Sequence, residues 1–289
     1  MNDIIIDDRR IGAFADFLRQ SETADPFDFC SRSEGFIYPE RGGEGVLEMF
    51  FFACAHQFGF WTLDGDRWRA PMVARLDGRD LKGSDFLWRA CTRALQADPA
   101  AFQPAALARQ PDAGLDALFH DDAGNNPLPM WPEHLDLIRG YARWFADQAS
   151  SPAGVLRRVQ TAPRPLNALL ETLAAIPGYA EDPLQKKAML LAIVLENRPE
   201  HFLAVADPGS AVPIIDYHLQ RSVLRTGLVR VAPSALRRKL ETRRRVEPAE
   251  EEAVRAAAYE AIARLMARSG LSAAADRKST RLNSSHTIQ

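Results

Sequence analysis

From Phe102 onward, apolar residues recur at the three- and four-residue spacing of helices, and proline stands repeatedly where a helix begins. A chain patterned this way has to pack short helices against one another, because a strand would throw alternate residues of the same pattern into water. Pro132 precedes Leu135, Leu137, Ile138, Tyr141, Trp144 and Phe145, the position where a missing N–H costs nothing. Ser151-Pro152 opens the next helix in the same manner. The pattern predicts further helices over Pro183–Glu196, within Val212–Gly227 with Gly227 as its C-cap, and over Pro248–Ser269. The last has acids at its start and Arg264 and Arg268 near its end, an order that suits the helix dipole.

The N-terminal third is more varied. Asp8–Gln20 places Ile11, Phe14, Phe17 and Leu18 on one face of a predicted helix. Residues Thr23–Gly43, with Pro26, Pro39 and Gly42-Gly43, read as loop, and Gly45–Phe58 as a buried helix. Asp64-Gly65-Asp66 between the apolar runs Phe58–Leu63 and Arg67–Val73 signals a β-hairpin, and Leu76-Asp77-Gly78-Arg79 a second turn. Ser84 is the expected cap of a helix running to about Leu95. The fold expected is mainly α, a single domain over residues 1–275 with a small β-hairpin element near residues 58–76.

Composition narrows the function. Of 289 residues 46% are hydrophobic, enough for a substantial core, and the net charge of −2 argues against a protein that coats nucleic acid along its length. Cys30, Cys54 and Cys91 are far apart, odd in number and in no metal-ligand spacing, as expected of free thiols in a reducing compartment. No metal constellation stands out. No apolar run approaches a membrane span, and Met1–Arg10 is too acidic and too short for a signal peptide, so the expected location is the cytoplasm. The string Asp276–His286 is identified as the in-frame translation of a common sequencing-library adapter, although a polar disordered tail has a similar composition. Residues 276–289 are accordingly expected to be non-native, with the natural C-terminus missing.

The stretch Leu173–Val229 is the candidate for chemistry. Ile176-Pro177-Gly178 reads as a tight turn between helices, of a kind that leaves backbone N–H groups open to an anion. Asp216 stands at a helix start behind Val212, Ile214 and Ile215, with Leu219 and Val223 following. Helix capping accounts for an acid there without any catalysis. Lys186 and Lys187 read by default as solvated positions at a helix start, and His218 as an ordinary surface or core residue.

The order of these pieces resembles the helix-hairpin-helix glycosylase superfamily: a Leu-x-x-Ile-Pro-Gly hairpin at Leu173–Gly178, a helix bearing lysine, then an apolar segment ending in an aspartate. A resemblance covering most of the chain is to the queuosine salvage proteins. Ile5-Ile-Asp-Asp-Arg-Arg-Ile-Gly-Ala-Phe14 is similar to their opening strand and helix, and Phe58-Gly-Phe-Trp61 to their Asn-Phe-x-Phe-Trp. Lys82–Leu95 resembles their helix after the hairpin, and Asn126-Pro-Leu-Pro-Met130 their Pro-x-Pro-Leu segment. Lys186-Lys-Ala188 resembles their Lys-Arg-Ala, and Asp216-Tyr-His-Leu219 their Asp-Tyr-Arg-Leu, whose Asp is catalytic.

The resemblance implies an N-glycosidase, a hydrolase without cofactor or metal, that splits queuosine 5′-monophosphate into queuine and ribose 5-phosphate in the salvage of a tRNA modification. Asp216 would be its catalytic carboxylate, Lys186 and Lys187 would meet the phosphate, and Phe60, Trp61 and Ile214 would cover the base. Packing into the core is the plain alternative for those three. The chain departs from the family pattern at several points. Ile214 replaces a base-stacking Phe, Cys54 an Asp, and Ala180 the second hairpin glycine, with residues 180–185 inserted after it. No family histidine is matched between Phe27 and Pro39, and a C-terminal Asp-Tyr motif would fall just beyond Ala275. His218 is closer to the Asp-x-His of DNA base-excision glycosylases, with Arg237-Arg-Lys239 and Arg243-Arg-Arg245 as phosphate grips, which makes DNA the partner under that alternative. A non-catalytic nucleotide-binding helical protein is the third reading.

Overall fold

The structure, a computed structural model, describes residues 3–21, 26–30 and 36–270. The expected adapter-derived tail, Ala275 and parts of the Thr23–Gly43 loop lie outside the described residues. In chain order the elements begin β1 (Ile4–Ile6), α1 (Asp8–Gln20), α2 (Val46–Ala55), β2 (Trp61–Asp64), β3 (Arg67–Pro71), β4 (Val73–Leu76), β5 (Arg79–Lys82) and α3 (Ser84–Ala97). There follow α4 (Pro104–Arg109), α5 (Asp112–Ala117), α6 (Trp131–Asp147), α7 (Pro152–Gln160), α8 (Pro165–Leu173) and α9 (Lys186–Asn197). The chain closes through α10 (Tyr217–Thr226), β6 (Val229–Val231), α11 (Ala235–Glu241) and α12 (Pro248–Ser269). It is mainly helical with small antiparallel β pairs, as the patterning predicts. Among the described residues no helix is long and apolar enough to cross a membrane.

Two compact units are distinguished. The first comprises the described residues within 1–26, 63–68 and 211–289. There β1 pairs antiparallel with β6, Ile5 opposite Arg230, and Asp7 N–H continues the ladder to Leu228 C=O at 2.9 Å. α1 buries Ile11 and Ala15 against α12, which offers Val254, Ala258, Ala261, Ile262 and Leu265. Asp7 caps α1 by accepting from Arg10 N–H, and Arg264 and Arg268 both bond Asp8 in its first turn. At the start of α12, Glu247 before Pro248 and Glu250 two residues after it form a reciprocal capping box, so the acids satisfy amides that the helix leaves open.

The second unit comprises the described residues within 27–62 and 69–210. Its centre is α2, eight of whose ten residues are buried, among them the run Met49–Ala55. α9 packs on it and is buried just as fully, from Lys187 to Leu195. Two helices apolar all round must lie inside a shell of amphipathic ones. α3, α7 and α8 supply that shell, with Phe86, Val155 and Leu169 facing inward.

Local details depart from the sequence reading in three places. Ser84 does not cap α3. Gly83 holds the cap position at φ 51°, its N–H on Met72 C=O, where a Cβ would come within 3.3 Å of Phe60. The second turn, Asp77-Gly78, closes a hairpin of its own between β4 and β5, so the β element extends past residue 76 to Lys82. The helix expected from Pro183 begins at Lys186, because the Asp182 carboxylate accepts from Lys187 N–H at 2.8 Å and residues 182–185 form the turn that allows it.

Candidate functional site

Asp216 lies in the first unit, at the N-cap of α10. The extended backbone of Val212–Ile215 breaks at this residue because its side chain competes for the first-turn amides. Its Oδ1 accepts from Leu219 N–H at 2.9 Å. The residue is half-buried; Ile214 and Ile215 just before it in sequence, and Leu219 and Val223 after it, are buried. Its other oxygen accepts no hydrogen bond among the described residues. One carboxylate oxygen is thus fixed by the capping bond, and the other is not engaged by the described residues. Ile214, 7% exposed, is core rather than an open platform. His218 packs on Tyr217, ring centroids 3.9 Å apart.

The other candidates belong to the second unit. Lys187 is buried, not solvated, and its Nζ donates to Ala55 C=O at 3.2 Å, while Lys186 Nζ donates to Gln57 C=O at 2.9 Å. Two ammonium groups thus sit at the carbonyl end of α2, where the helix dipole favours positive charge. That contact gives both lysines a structural role. Phe60 is buried against Gly83, whereas Trp61 is half-buried at the start of β2.

The Ile176-Pro177-Gly178 turn does not present open amides. Gly178 N–H donates to the Glu181 carboxylate at 2.7 Å, and Tyr179 and Ala180 N–H both donate to Ile176 C=O. What the turn requires is closeness. Gly178 adopts φ 96°, and a Cβ there would stand 2.7 Å from Ala55 Cβ.

Sequence reading missed a buried imidazole pair. His56, just after α2, and His134, in the first turn of α6, meet Nδ1 to Nδ1 at 3.0 Å. One must donate and the other accept, so the pair holds one Nδ1 proton, and the two Nε2 atoms carry one donor and one acceptor between them. Neither Nε2 has a hydrogen-bond partner among the described residues. His134 also stacks on Phe58 at 4.1 Å, with Lys187 Nζ above the Phe58 ring. Burial, then the fields of His134 and Lys187, hold His56 well below the ordinary imidazole range. Burial and then Lys187 bring His134 down to about 4. Both are neutral at pH 7. The 78-residue separation leaves no local signal for this pair.

Among the described residues no group of three or more His, Cys, Asp or Glu is placed to hold a metal ion. A cleft of about 620 Å³ opens at the start of α7 between Ser150, Ser151, Arg157 and Thr161, and none of the candidate residues lines it. No protein-family model matches this chain, and no curated protein matches it in sequence.

Proposed function

We propose that the chain is an N-glycosidase of helix-hairpin-helix type that hydrolyses queuosine 5′-monophosphate to queuine and ribose 5-phosphate, with Asp216 as its catalytic carboxylate. The observation that supports the reading is the state of Asp216: half-buried, aimed by the Leu219 N–H, flanked in sequence by buried aliphatic residues, and with one oxygen accepting nothing among the described residues. The ordered resemblance of the segments from Ile5 to Leu219 supplies the substrate class.

The chemistry suits such a group. As the C1′–N bond breaks, its electron pair leaves with the base and the sugar becomes cationic. A fixed anion in a poorly solvated setting stabilises that charge more than water does, because it need not reorganise. Water then gives its hydroxyl to C1′ and its proton to the departing base. A carboxylate bonded to C1′ in an intermediate, as in retaining glycoside hydrolysis, is the covalent form of the same stabilisation.

Asp216→Asn tests the assignment cleanly. An asparagine oxygen still caps α10, so the fold persists while the charge is removed. Release of queuine from the nucleotide, followed by chromatography, is expected to fall at least about a hundredfold. Wild-type-like turnover by the variant refutes the catalytic role. Base release from DNA but not from the free nucleotide refutes the substrate and leaves Asp216 in place.

A further inference from the structure

Between Tyr217 and Val246 the chain carries nine lysines and arginines against one acid, Glu241. Part of that charge is neutralised within the first unit: Arg230 by Asp7, Arg237 by Glu241, Lys239 by Glu250 and Arg244 by Asp66. Two of the three cations in the Arg237–Lys239 run are thus engaged in ion pairs. Arg221, Arg225 and Arg243 are exposed and have no carboxylate partner among the described residues. Arg221 and Arg225 lie one turn apart on α10. The Arg221 guanidinium is held below its ordinary range by partial desolvation and by the positive field of Arg225; Tyr217 acts in the opposite direction and Arg243 adds to the lowering.

A second, independent feature stands beside Arg243. The tip of the β2–β3 hairpin is pinned to the segment after α11 by backbone bonds. Trp68 N–H donates to Arg243 C=O at 2.9 Å, Arg245 N–H donates to Asp66 C=O at 2.6 Å, and Arg67 and Arg244 form a bridge between them. The guanidinium of Arg67 also bonds Thr242 C=O at 3.2 Å. This pairing places Trp68, 37% exposed, beside Arg243. More than a third of this large aromatic residue stays in water beside a cation with no carboxylate partner among the described residues. It matches the two needs of an unpaired nucleic acid strand, a surface for base stacking and positive charge for the backbone.

We propose that Trp68 with Arg221, Arg225 and Arg243 forms a binding surface for single-stranded nucleic acid, one base stacking on the indole and the neighbouring phosphates meeting the guanidinium groups. The surface is independent of the chemistry assigned to Asp216. Double-stranded nucleic acid, whose bases are already stacked, satisfies only the charged half.

The test is fluorescence anisotropy of the full chain with a labelled 15-nucleotide RNA, DNA of the same sequence, and the corresponding duplex, between 50 and 200 mM salt. Either single strand is expected to bind, the tighter one naming the source, with log K falling against log salt at a slope of about −2, from roughly 0.7 per phosphate. Trp68→Ala should weaken binding about fivefold to a hundredfold at every salt concentration, and Trp68→Phe should restore much of it. Arg243→Gln and Arg221→Gln should each make the slope shallower by about 0.7. All four positions are solvent-exposed, and unchanged circular dichroism confirms that the variants fold. Equal binding by Trp68→Ala, tighter binding of the duplex, or no binding at 50 mM salt overturns the proposal.

Discussion

The buried imidazole pair sets a quantitative expectation for acid stability. In the unfolded chain His134 takes up a proton near 6.5; in the fold it does so only at about 4. Its neutral form therefore supports the fold fully above the unfolded value. As pH falls from about 6.5 towards 4, the unfolded state binds a proton that the native state refuses, and stability is lost at about 1.4 kcal/mol per pH unit. Over the whole window the loss from this group is about 3 kcal/mol, a large part of an ordinary domain's stability. His134→Leu removes the proton site and the Nδ1 hydrogen bond together. At pH 7 the variant is expected to be about 1–3 kcal/mol less stable, since His56 Nδ1 loses its partner in the interior. Between pH 7 and pH 5, however, the wild type should lose about 2 kcal/mol more than the variant, from about 1.5 pH units of titration below 6.5. Urea unfolding followed by circular dichroism at pH 7, 6 and 5 measures both. If the two proteins lose stability in parallel, His134 is not held neutral by burial and the reasoning fails.

Two further expectations concern packing. Gly178→Ala meets both a φ of 96° and a Cβ 2.7 Å from that of Ala55, so a drop of about 2 kcal/mol or more is expected by thermal or chemical unfolding, and an unchanged midpoint would show that the turn relaxes freely. Arg198 is fully buried and donates to Phe29, Pro39 and Glu40 carbonyls and to the Glu200 carboxylate; Arg198→Leu should cost about 3–5 kcal/mol and expose the 26–30 segment to limited proteolysis, whereas wild-type protection would deny the anchor.

Much of the helical framework was readable from local pattern, because the forces that start and stop a helix act within one turn. Ser151-Pro152, Pro132, the acids after Glu247 and Gly227 each mark a boundary that the structure contains. Asp216 at a helix start was readable for the same reason, since a cap bonds only three residues ahead. The Asp64-Gly65-Asp66 hairpin followed from turn chemistry. Ser84 misled the reading because its neighbour, Gly83, is held from outside by Met72 and Phe60.

The candidate site was less legible. Sequence placed Lys186 and Lys187 at a helix start but not at the carbonyl end of α2, some 130 residues away, which turns supposedly solvated cations into helix caps. The hairpin turn reads as an amide-rich anion site until Glu181 is seen to take the Gly178 N–H.

The amino-acid order by itself determined where helices begin and end, which faces are apolar, and that a carboxylate stands at the head of α10, since each of these depends on neighbours a few residues apart. Tertiary structure alone decided that β1 pairs with β6, that two histidines share a proton in the interior, that Arg198 is fully enclosed, and that Trp68 stands beside Arg243. These contacts join residues tens to hundreds of positions apart, and the burial that sets their charge and hydrogen bonding exists only once the chain has closed around them.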